Sequence, residues 1–172
     1  MNRYQLAKIV QWAGTFRSRK RMQKLIFMLQ AAGCPLDVEY DLHHYGPYSQ
    51  DVARLTGELV FEKLLGEISE AHPYGAQYSY TLSESARRQI LEYEASPAGS
   101  GAAEEFSKFR AMADRLYKAD LKELEIASTM VFFRKQGADW SSAVEKTSQF
   151  KKFTADPLFL ERCKSLANEI VV

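Results

Sequence analysis

The chain has little of what staples or anchors a protein from outside its own core. Only two cysteines occur in 172 residues, Cys34 and Cys163, far apart and in no C-x-x-C spacing, which argues against a disulfide framework and fits a reducing cytoplasm. The longest apolar runs, Leu25 to Leu29 and Met130 to Phe133, fall far short of the roughly 20 residues that cross a bilayer, so no membrane is expected. Lys8 and Gln11 break the stretch that would have to be the apolar region of a signal peptide. There is no G-x-S-x-G, P-loop or dinucleotide fingerprint; enzymatic function has no positive support, and no cofactor is expected.

Metal ligands are also scarce. The histidines are His43, His44 and His72, and on a strand His43 and His44 point to opposite faces and cannot chelate one ion together. Gly33-Cys-Pro35 supplies no base to activate Cys34, which reads as a structural thiol at a helix end.

What the chain does have is charge polarity hidden under a net charge of +1. Met1 to Leu36 carries seven Lys or Arg and no acid, whereas Asp37 to Glu70 carries eight acids against Arg54 and Lys63. The 46% hydrophobic content suffices for one good core, or one core with a small satellite domain.

Periodicity and punctuation order the elements. A first helix runs from about Tyr4 to Gly14, and a second from about Ser18 to Ala32 with Met22, Leu25, Ile26 and Leu29 on one face, stopped by Gly33 and Pro35. Alternation from Val38 to His44 predicts a half-buried strand, with Gly46-Pro47-Tyr48-Ser49 as a turn into a helix capped by Ser49 and reaching Leu65. Segments 66–71 and 77–82 bracket a hairpin, and Ser83 caps a further helix to about Ala95. Ala95 to Gly101 reads as a linker of small residues. Beyond it, four helices are predicted: 102–117, 121–136, 140–153 and 157–170, with Asp120, Asp139 and Asp156 at three of their starts.

The fold class is therefore mainly α (α+β): a winged-helix-like unit with a small strand and β-hairpin over 1–95, a linker over 96–101, and a helical extension over 102–172 packed on the first unit. Within it, Lys20-Arg-Met-Gln-Lys-Leu-Ile-Phe-Met-Leu29, the strand ending His44-Tyr-Gly-Pro-Tyr-Ser49, Leu64-Leu-Gly66 and the tyrosine-rich hairpin resemble the YwgA-like proteins. More distantly they are similar to the Panacea domain of SocA-like antitoxins, from which the chain departs at Tyr48, where a small apolar residue would follow Gly-Pro. The first resemblance implies a transcriptional regulator, the second a toxin-neutralising module that binds another protein.

Two surfaces are candidates for partner or anion binding. One is the basic helix start, Arg17, Arg19, Lys20, Arg21 and Lys24, which forgoes the usual preference for acids near a helix N-terminus. Its counter-charge could be the chain's own acids Asp37, Glu39, Asp41, Asp51 and Glu58, an acidic protein, or nucleic acid, with internal pairing favoured. The other is a cluster of tyrosines that includes Tyr45, Tyr48 and Tyr74, divided between core packing and a protein-binding face. Nucleic acid is disfavoured, because fifteen residues separate Gly33 from Ser49, against the roughly 3–4 of a helix-turn-helix. No Lys or Arg falls between Lys63 and Arg87, and Glu67 and Glu70 would repel phosphate. The function expected is a non-catalytic regulatory module with a protein partner, and the alternative is a DNA-binding transcriptional regulator.

Overall fold

A computed structural model describes residues 1–73, 75–152 and 156–171. Asn2 opens α1 (Arg3–Ala13) through a reciprocal capping box with Gln5, and Gly14, at φ 70°, closes it. A three-residue strand that periodicity does not reveal, β1 (Thr15–Arg17), follows before Ser18 caps α2 (Arg19–Ala31). Next come a small hairpin, β2 (Asp41–His43) and β3 (Gly46–Tyr48), and α3 (Gln50–Phe61) capped by Ser49. A longer hairpin, β4 (Leu65–His72) and β5 (Gly75–Leu82), leads into α4 (Glu84–Ala95), capped by Ser83. The antiparallel sheet runs β1-β5-β4, with Phe16 opposite Tyr80 and Leu65 opposite Leu82.

Several expected boundaries move for identifiable reasons. The predicted strand from Val38 shrinks because the Gln30 side chain takes both backbone groups of Val38, accepting from its N–H and donating to its C=O, each at 2.8 Å. Those groups are then lost to any ladder. Gly46-Pro47-Tyr48, expected as a turn, is itself a strand paired with Asp41–His43, and the turn is His44-Tyr45. Pro47 is tolerated there because a two-stranded hairpin has only edge strands, where a missing N–H breaks no interior ladder. Helix α3 stops well before Leu65. Lys63 adopts φ 58°, and the bonds from Lys63 N to Val60 O and Leu64 N to Leu59 O close a Schellman motif that normally advertises itself with glycine.

The stretch expected as a linker is a tight turn: Ser96 Oγ donates to Tyr93 O and accepts from Gly99 N. The predicted helix 102–117 is two, α5 (Ser100–Ser107) and α6 (Arg110–Lys118). The break lets Phe106 stack on Trp12 at 5.0 Å while Ala113 and Leu116 are buried further along. Asp120 caps α7 (Leu121–Lys135), Asp139 caps α8 (Trp140–Lys151), and Asp156 caps α9 (Pro157–Asn168).

Helix α7 is buried around much of its girth, at Leu124, Ile126, Ala127, Ser128, Thr129, Met130 and Val131. Such a helix must be covered on several sides, and it packs against α2, α8, α9 and β3. Its residues join Leu25, Ile26, Leu29, Phe16, Val52 and Tyr80 in one continuous core. No helix among the described residues is long and apolar enough to cross a membrane.

Candidate functional site

The β2–β3 hairpin is fixed from beneath by side chains that address its backbone. Gln23, buried on α2, accepts from Ser49 N at 2.8 Å and donates to Ser49 O at 2.9 Å. The next residue, Lys24, donates to Pro47 O at 2.5 Å. From α8, Lys151 donates to His44 O at 3.1 Å and to Glu125 of α7 at 2.5 Å. Gly46, at φ 92°, lies so close to α7 that a Cβ there would meet Thr129 Oγ1 at 2.6 Å. The hairpin is a rigid lip.

Between this lip, α2, α3 and the sheet lies a cleft of about 690 Å³. Met22 of α2 with Val52, Ala53 and Thr56 of α3 form an apolar wall, and Arg19, Lys20 and Lys24 supply positive charge. His43, His44, Tyr45 and Tyr48 line the hairpin side; Tyr45, 56% exposed, stands at the tip. Its ring lies 3.9 Å from the Lys20 ammonium, a cation–π contact, and His43 stacks on Tyr48 at 4.8 Å.

The cations have internal partners, though not the predicted ones. Arg19 pairs with Glu67 at 2.8 Å, donates to Tyr80 Oη at 2.7 Å, and lies over the Tyr78 ring. Lys20 pairs with Glu125 at 3.0 Å. The acids expected to do this work lie elsewhere in the pairing scheme: Asp51 and Glu58 flank Arg54 on α3. Lys24 is 2% exposed. Burial pushes its ammonium down to about 7 against the pull of Glu125, and Lys151 and Lys20 add to the depression. Burial likewise lowers Lys151, while it raises the Tyr80 phenol to about 12 with help from Glu67.

Of the candidate residues, Arg19, Lys20, Lys24, Tyr45 and Tyr48 converge on the cleft. Arg17 and Arg21 do not, because they line a second depression with Gln77, Tyr117 and Leu121. Arg21 there donates to Tyr117 O at 2.8 Å and Ala119 O at 2.6 Å. Tyr74 lies outside the described residues. Sequence reasoning missed Glu125 and Lys151, and it read Glu67 as an acid that repels phosphate rather than as the partner of Arg19. Glu125 and Lys151 had no local signal, since they reach the hairpin only through tertiary packing.

No family model matches the chain. Over 128 residues it is 27% identical to an uncharacterized protein, YwgA, of Bacillus subtilis (strain 168), a match that spans 74% of this chain and 72% of that one. The similarity supports a relationship to YwgA-like proteins.

Proposed function

We propose that this chain, taken as YwgA-like, is a non-catalytic regulatory module that binds a protein partner through the rim of the cleft. The observation that carries the reading is the pairing of an exposed aromatic tip, Tyr45, with a hairpin whose backbone is tied down by Gln23, Lys24 and Lys151. A rigid aromatic projection offers contact area at low entropic cost, and Arg19 and Lys20 beside it favour an acidic partner surface. An antitoxin-like role is the finer form of this proposal, and the cytoplasm is its proposed setting.

The second reading is DNA binding, favoured by chain order. The order α1-β1-α2-β2-β3-α3-β4-β5 with sheet order β1-β5-β4 supports a winged-helix-like reading in which the β2–β3 hairpin interrupts the step from α2 to α3. Charge opposes it. Arg54 on α3 is flanked by Asp51 and Glu58, and β4 carries Glu67 and Glu70 without a cation, so phosphate contacts there would be few. Replacing Tyr45 with a benzophenone-bearing amino acid and irradiating cells should give one discrete protein adduct. Nucleic-acid adducts instead, with sequence-selective duplex binding at physiological salt, would favour the second reading.

A further inference from the structure

The cleft has the features of a ligand site as well as a rim. Its volume of about 690 Å³ falls within the roughly 300–1,000 Å³ of small-molecule pockets, which are mostly apolar with a few placed polar groups. Here the apolar part is the wall of Met22, Val52, Ala53 and Thr56, and the charged part is Arg19, Lys20 and Lys24 with one acid, Glu67, which is paired with Arg19. Arg19, Lys20 and the partly protonated Lys24 of the lining, with Lys151 of α8, share two carboxylates, Glu67 and Glu125. The Lys24 ammonium has three N–H groups and, among the described residues, a single hydrogen-bond acceptor, Pro47 O. A buried donor set left incomplete beside uncompensated positive charge calls for an anion.

We propose that this cleft binds a small organic anion, its ring or aliphatic body on the wall of Met22, Val52, Ala53 and Thr56 and its carboxylate or phosphate between Lys20 and Lys24. An extended peptide fits less well, since the backbone it would pair with is taken: Pro47 O by Lys24, His44 O by Lys151 and both groups of Ser49 by Gln23. The cleft therefore offers side chains rather than a strand edge. A bound anion also draws the Lys24 proton back, joining Glu125 of α7 against the repulsion of Lys20 of α2 and Lys151 of α8. The proposal goes beyond the partner reading and stands without it.

The test uses the full chain with 1-naphthoate, 1-naphthyl phosphate, neutral 1-naphthalenemethanol and inorganic phosphate, followed by calorimetry and amide chemical-shift mapping. Both naphthyl anions should bind at least about tenfold more tightly than the neutral alcohol and than inorganic phosphate, with shifts on α2, α3 and the β2–β3 hairpin. Whichever anion binds more tightly names the head group, and either order supports the site. Ala53→Leu, which fills the wall while keeping a strong helix former, should cost both anions at least about tenfold with an unlowered melting temperature. Lys20→Gln should weaken the anions by about tenfold and leave the alcohol unmoved. Equal binding of alcohol and anions, inorganic phosphate binding as tightly as the naphthyl anions, or unchanged affinity in folded Ala53→Leu would each overturn the proposal.

Discussion

Gln23 holds Ser49 by its backbone at both ends, the amide oxygen accepting from Ser49 N and the amide nitrogen donating to Ser49 O. The Ser49 side chain meanwhile faces the other way, accepting from Val52 N at 3.4 Å as the cap of α3. One residue thus joins two local structures, and the two bonds have different sizes. Gln23→Leu orphans the buried Ser49 N–H, at about 1–3 kcal/mol, and strips one of two donors from Ser49 O, which keeps its bond from Ala53 N at 3.3 Å. Ser49→Ala removes only a cap, at about 1 kcal/mol. Denaturant titration should rank Gln23→Leu as clearly the more damaging, and equal losses would show that water or a neighbour takes over the freed N–H.

The basic start of α2 yields a second comparison. Arg21 donates to two backbone carbonyls at the C-terminal end of α6, those of Tyr117 and the capping Ala119, where a hydrogen bond to a charged group is worth about 1.5–3 kcal/mol. Arg19 makes a half-exposed ion pair with Glu67, of a kind worth about 0–1 kcal/mol and screened by salt. Arg21→Gln should therefore lower stability by an amount that salt hardly changes, whereas the ion-pair part of the loss in Arg19→Gln should shrink as salt is added, leaving the part due to its bond to Tyr80 Oη. A strongly salt-dependent loss in Arg21→Gln would mean that its partners are charges rather than carbonyls.

The depressed lysine predicts a pH dependence. Lys24 titrates near 7 in the fold but at its ordinary 10.5 in the unfolded chain, so between those values the unfolded state holds the extra proton and stability rises with pH. Lys151 is lowered too and acts in the same sense. Tyr80, raised to about 12 from 10.0, reverses the trend, because above pH 10 only the unfolded chain loses that proton readily. Melting temperature should climb between about pH 7 and pH 9, above which the buried Cys34 and Cys163 thiols, pushed up to about 12 from 9.0, act in the opposite sense, and Lys24→Met should flatten most of the climb. A wild-type profile as flat as the variant's would contradict the assignment.

Local signals carried much of the fold. Ser49, Ser83, Asp120, Asp139 and Asp156 were readable as helix starts because a cap is a relation between neighbours in sequence. Lys20, Gln23 and Lys24 and the segment with Gly46-Pro47 were legible as two stretches of the resemblance, and the structure links them by hydrogen bonds and a cation–π contact. Long-range relations were not readable. Val38 looks like a strand residue until Gln30 occupies its backbone, and the acid that pairs with Lys20 sits 105 positions away at Glu125, beyond any pattern of spacing. Lys63 ended α3 without a glycine to announce it.

Lys151 and His44, which touch, are 107 positions apart, and this has a consequence for how the molecule is made. A chain growing on the ribosome carries Lys20, Lys24 and the hairpin first, and receives the shared carboxylate of Glu125 and the tether from Lys151 only after α2 and α3 have long been made. The lip is therefore synthesised long before it is fastened. A product cut short before α7 would display its lysines without their counter-ion and Gly46 without the helix it rests on.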